Sequence, residues 1–81
     1  MTEVVLYGKA GCHLCDEARA EVQAARERRP FELTEVDVSL DPVLHARYGE
    51  RIPVLTVDGA EAFEFHVDAD ELTRLLDTVS A

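Results

Sequence analysis

The chain has no tryptophan, one methionine, one lysine and two cysteines in its 81 residues. Two cysteines are too few for the dense disulfide framework of a small secreted scaffold, and with no second pair they cannot fill a four-cysteine zinc site. Long apolar runs are also missing: "VVLY" is typical, against the roughly 20 residues a transmembrane helix needs. Glu3 stands where a leader would carry basic charge, so a cytoplasmic location is expected. In that reducing compartment a lone cysteine pair is more often catalytic or metal-binding than structural.

Positive charge is scarce. Eight Lys and Arg face 17 Asp and Glu, for a net charge of −9. Residues 1–30 hold five acids and five bases, so the net charge lies entirely in the remainder, with twelve acids against three bases. Such a surface repels phosphate backbones and anionic lipid, and neither nucleic acid nor membrane is an expected partner.

What remains is ordinary globular composition, 47% hydrophobic and 31% charged, in a length that suits one domain over residues 1–81. "EVVLY", residues 3–7, is apolar and β-branched, as in a strand buried on both faces. From Cys12 to about Arg28 no Gly or Pro interrupts a helical spacing of Leu14, Ala18, Val22 and Ala25, and Pro30 closes it. "FELTEVDV", residues 31–38, reads as a strand whose alternation slips between Leu33 and Val36, which a bulge or an edge position would explain.

Asp41 before Pro42, with Gly49 at the C′ position, predicts a short helix over 42–48. "PVLTV", "DG" and "AEAFEF" predict a tight hairpin, and Asp68 with Glu71 predicts a capping box ahead of Leu72, Leu75, Leu76 and Val79. The order is β-α-β-α-β-β-α: a four-stranded mixed sheet flanked by three helices, with two strand-helix-strand connections subject to the right-handed rule. Both cysteines then sit at the carboxyl end of strand one, where open α/β sheets place their sites.

Cys12 falls at a helix N-terminus, where free N–H groups and the macrodipole favour a thiolate. Cys15, one turn further in and more buried, could attack a mixed disulfide held by Cys12. Asp16 and Glu17 favour the helix dipole but oppose the thiolate, so only a modest lowering of the Cys12 pKa is expected. His13, between the cysteines, could help the thiolate when protonated or be an exposed spacer. Metal binding stays open at this point, although His13, His45 and His66 lack zinc-type spacing.

"VVLYGKAGCHLC" resembles the start of a glutaredoxin, and "RYGERIPVLTVDG" resembles the thioredoxin-fold segment whose proline is cis and faces the active-site disulfide. The likeness extends over about residues 4–79, nearest to short glutaredoxin-like proteins with C-x-L-C. It implies a thioredoxin-like fold and a thiol–disulfide oxidoreductase with Cys12 and Cys15 catalytic. Lys9, His13, Ile52, Pro53 and Asp68 would then be substrate-binding. No cofactor and no metal are implied, and the expected state is a monomer.

By the same resemblance Pro53 would be cis, a form found in about 5–6% of X-Pro bonds in folded proteins. The partner would be a protein or small thiol or disulfide, reduced by an unspecified thiol reductant. Glutathione-using glutaredoxins carry Gly-Gly before an acid where this chain reads "FEFHVDADEL", so Phe65 and His66 stand at the glycines and Asp68 at the acid. Two rival readings are a metal or [2Fe–2S] site through the cysteine pair and a binding module that kept the fold without turnover.

Overall fold

The computed structural model describes residues 2–79. Its elements run β1 (Glu3–Gly8), α1 (His13–Arg28), β2 (Glu32–Asp37), a 3-10 turn (Val38–Leu40), α2 (Pro42–Tyr48), β3 (Val54–Val57), β4 (Ala60–Glu64) and α3 (Ala69–Val79). The sheet order is β2-β1-β3-β4. β1 lies parallel to β2 and antiparallel to β3, and β4 returns antiparallel along β3. This is the expected four-stranded mixed sheet with three helices. The second strand-helix-strand connection differs from expectation: β2 and β3 run in opposite directions, so the right-handed rule governs only the first.

Two cores sit on opposite faces of the sheet. Val4 and Leu6 of β1 and Leu55 and Val57 of β3 pack with Ala18, Val22 and Ala25 of α1 and Leu72 and Leu76 of α3. On the other face Val54 gathers with Val38, Tyr48 and Ile52, Tyr7 packs against them, and Cys15 of α1 joins this cluster at the end of β1. The apolar stripe of α1 is Cys15, Ala18, Val22 and Ala25 rather than one begun by Leu14, which is only half-buried. Cys15 is thus a core residue as well as a thiol.

The slip of alternation in β2 has a physical reason other than a bulge. All six residues of β2 keep a regular register with β1, and β2 is an edge strand. Phe31 and Leu33 feed the α1–α3 core, whereas Val38 joins the core under α2. The segment 31–38 serves two cores in succession, Phe31 and Leu33 the first and Val38, just past β2, the second. The bulge lies instead between Leu55 and Thr56 against β4.

The hairpin turns at Asp58 (φ 48°) and Gly59 (φ 87°), the two left-handed residues that a tight Asp-Gly turn demands. Asp41 caps α2 by accepting from the N–H of Val43 and Leu44 at 2.9 and 3.3 Å. Gly49 ends α2 in right-handed conformation (φ −53°), not the left-handed one its C′ assignment implied. It is needed for space: a Cβ there would lie 2.5 Å from the His45 carbonyl oxygen.

The unequal charge of the two parts of the chain is partly settled within the molecule. Arg28 pairs with Asp70, and Arg29 with Asp77 at 2.6 Å, tying α1 to α3. Arg19 of α1 reaches Glu35 of β2 at 2.5 Å and Asp16 at 2.9 Å.

Candidate active site

β1 ends at Gly8, and the loop 9–12 turns through Gly11 (φ 76°) into α1. Cys12 occupies the N-cap with extended backbone (φ −92°, ψ 115°), so its side chain faces the free N–H groups of the first turn. The Cys15 N–H donates to Cys12 Sγ at 3.2 Å. The two sulfurs are joined as a disulfide, with Cα atoms 5.2 Å apart. Cys15 is 1% exposed, and Cys12 keeps part of its surface open. One thiol is therefore available to a partner and the other sits directly behind it.

Ile52 packs in the same cluster as Cys15, with Cys12 against its edge. The Ile52–Pro53 bond is cis, as the resemblance implied, and Pro53 is fully buried. Arg51 anchors the segment just ahead of it, donating to Glu61 at 2.7 Å, to Glu64 at 3.1 Å and to the Arg47 carbonyl at 3.2 Å. Hydrogen bonding from Arg51 holds the Glu61 carboxyl below its ordinary pKa. Beneath, Tyr7 stacks on Tyr48 with ring centroids 4.4 Å apart. Burial first, and then the neighbouring Tyr48, push the Tyr7 phenol above its ordinary pKa.

A cavity of about 250 Å³ lies behind the disulfide, walled by Cys15, Gly8, Lys9, Arg19, Glu35 and Asp37 among others. Lys9 is exposed at its rim. Asp37 accepts from the Ser39 hydroxyl at 2.6 Å and the Ser39 N–H at 2.9 Å. These bonds, with smaller help from the Ala10 N–H and the charge of Lys9, hold the Asp37 carboxyl below its ordinary value.

A search for known relatives matches residues 3–77 to the family described as Glutaredoxin-like domain (DUF836). The chain belongs to this glutaredoxin-like family. An uncharacterized protein of Mycobacterium tuberculosis and one of Mycobacterium bovis are each 29% identical over 75 residues, covering 86% of this chain and 77% of theirs. A crystal structure of a structural-genomics target from X. campestris is 34% identical with a TM-score of 0.78, covering 93% of this chain and 96% of that one. A solution structure of a protein from Nitrosomonas europaea has the same TM-score at 29% identity, covering 91% and 89%. A thioredoxin variant from Halobacterium salinarum, 22% identical with a TM-score of 0.73 over 99% of this chain and 75% of its own, shares the fold.

In this glutaredoxin-like chain the sequence-predicted residues divide into two groups. Cys12, Cys15, Ile52 and Pro53 come together in space, and Lys9 stands at the cavity behind them. His13 does not join them: its side chain is 88% exposed, with Glu17 3.9 Å away on the next turn. Asp68 is a helix cap, accepting from the N–H of Asp70 at 2.8 Å and of Glu71 at 3.0 Å. Glu21 of α1 accepts from the third free amide, that of Ala69, at 3.1 Å. The chain's own carboxylates thus occupy the anion-seeking start of α3.

Two residues were missed by sequence reasoning. A Cβ at Gly8 would fall 2.9 Å from Cys15 Sγ, so the absent side chain at the end of β1 makes room for the inner sulfur. The only signal was a glycine interrupting an apolar strand just before C-x-x-C. Glu21 had none, because capping across 48 positions of sequence leaves no local pattern. Among the described residues no group of three or more His, Cys, Asp or Glu side chains is placed to hold a metal ion, and no helix is long and apolar enough to cross a membrane.

Proposed function

We propose that this chain is a dithiol thiol–disulfide oxidoreductase serving cell redox homeostasis in a reducing compartment such as the cytoplasm. The observation that carries the reading is the Cys12–Cys15 pair, bonded at the N-cap of α1 with one sulfur accessible and one buried. In the reduced protein the Cys12 thiolate attacks a substrate disulfide RS–SR′. The Cys12–SR bond forms, the S–S bond of the substrate breaks, and R′S⁻ leaves and takes a proton. Deprotonated Cys15 then attacks the Cys12 sulfur, forming the Cys12–Cys15 bond and releasing RS⁻.

Two thiols are oxidised to one disulfide while one substrate disulfide is reduced to two thiols. A low-molecular-weight thiol or dithiol returns the protein to its reduced state. The Cys15 N–H and the start of α1 lower the energy of the attacking and departing thiolate at Cys12. Burial gives Cys15 a single neighbour to attack. Ile52 and Pro53 form the wall beside which an extended substrate lies, and Lys9 offers a cation at the rim of the rear cavity.

The test is a pair of variants assayed on insulin and on a small aromatic disulfide. Cys12→Ser abolishes reduction, whereas Cys15→Ser accumulates mixed disulfides visible by mass spectrometry. Undiminished turnover in Cys12→Ser would reject the assignment.

A further inference from the structure

Phe65 is an unusual residue in an unusual place. It follows the last residue of β4 with φ +66°, a left-handed conformation that bulky side chains avoid. The His66 N–H donates to the Glu64 carbonyl at 2.7 Å across it, so Phe65 is the middle of a γ-turn of the rare, strained, positive-φ kind. Packing does not account for the strain. The ring is 41% exposed and belongs to neither hydrophobic core. Strain held without a packing gain points to function.

Its position says which function. The Phe65 N–H donates to the Pro53 carbonyl at 2.8 Å, and Ile52 packs with Cys15 and Cys12, so the γ-turn is fastened to the 52–53 segment that lies against the disulfide. The next two residues, His66 and Val67, line a groove of about 370 Å³ against Glu17 and Glu21 of α1. Exposed carboxylates flank this segment: Glu64 and Asp68 lie one and three residues from Phe65 in the chain, Glu17 and Glu21 line the groove, and Arg51 is already held by Glu61 and Glu64.

We propose that Phe65 is a specificity-determining residue for a polypeptide disulfide whose cysteine is flanked by an apolar side chain and by Lys or Arg. The inference rests on the oxidoreductase reading and deepens it. The phenyl ring offers the apolar contact, and the acidic groove between residues 66–67 and α1 receives the basic one. An anionic tripeptide disulfide such as that of glutathione offers neither, and it meets Glu21 and Asp68 where its carboxylate would seek the amides of α3.

The experiment uses the pre-reduced full chain and follows its oxidation by alkylation and mass spectrometry. Three probes are used: a disulfide peptide with Leu and Arg beside its cysteine, the same peptide with Gly and Glu, and hydroxyethyl disulfide as reference. The wild type is expected to favour the Leu-Arg peptide over the Gly-Glu peptide by about tenfold relative to the reference, and added salt narrows the gap. Phe65→Gly, which also relieves the backbone, lowers that ratio several-fold, while Phe65→Leu restores most of it. An equal ratio in Phe65→Gly, or a wild-type preference for the acidic peptide or for glutathione disulfide, overturns the proposal and leaves the oxidoreductase reading standing. Failure to react even with hydroxyethyl disulfide overturns both.

Discussion

Gly8→Ala is the smallest change that tests how the site is built. A Cβ on Gly8 would stand 2.9 Å from Cys15 Sγ and 3.3 Å from Cys15 Cβ. The sulfur is held in place by its bond to Cys12, so even with the cavity beside it a retreat must move the disulfide. Forcing an extra methyl group into such a place costs about 1–3 kcal/mol. Replacing glycine also reduces the freedom of the unfolded chain, which returns about 0.4–1 kcal/mol. The net expectation is a loss of about 1–2 kcal/mol, read as a lower urea midpoint or as a Tm fall of about 4–8 °C per kcal/mol in a domain of this size.

The same substitution in a Cys15→Ala background meets no sulfur. Only the 3.3 Å contact remains, so its cost there should drop below about 0.5 kcal/mol, and the double-mutant cycle should give a coupling of about 1 kcal/mol. Equal costs in the two backgrounds, or no cost in the wild type, would refute the argument that Gly8 is a glycine for the sake of the inner sulfur.

Two further outcomes are expected. Asp68→Ala removes the cap from α3 and should lower stability by about 1 kcal/mol in urea unfolding, with Glu21→Ala adding a comparable loss because the Ala69 amide is then unpartnered. Ser39→Ala takes away one of the bonds that depress the Asp37 pKa. A depressed carboxylate contributes stability that is present above its unfolded pKa, near 3.9, and is lost as pH falls through the lower folded value. The variant should therefore be less stable than the wild type at neutral pH, and the two urea midpoints should converge on acidification. Midpoints that stay parallel down to strongly acidic pH would show that the hydroxyl bond does not set that titration.

Much of the fold was legible because its signals are local. Asp58-Gly59 announces the hairpin, Asp41-Pro42 the start of α2, and uninterrupted helical spacing the length of α1. What escaped depends on distant partners. Phe31 to Val38 looked irregular because its two apolar phases answer to different cores on opposite faces, a fact invisible along one strand. Gly49 suits a C′ position by residue type, but its constraint is the His45 carbonyl beside it, which the sequence does not reveal.

The cysteines were legible as a pair because C-x-x-C at a helix start places them one turn apart. The Gly8 contact and the Glu21 bond to Ala69 were not, since neither neighbour lies where a periodicity could point to it. His13 looked like part of the site by its number in the chain, but the first turn of α1 carries its side chain outward.

The order of the strands leaves β2 and β4 with one side unpaired, and each presents glutamates: Glu32 and Glu35 on β2, Glu61 and Glu64 on β4, all exposed. Open edges are templates on which other chains can add strands, and charged side chains along them are a common defence. A second copy approaching either edge would have to part Glu35 from Arg19, or Glu61 and Glu64 from Arg51, or bring these charged groups against its own, an opposition that destabilises cross-strand pairs. Part of the acidity lies where intermolecular sheet growth would begin, so neutralising Glu61 and Glu64 removes a barrier to aggregation as well as the hold of Arg51.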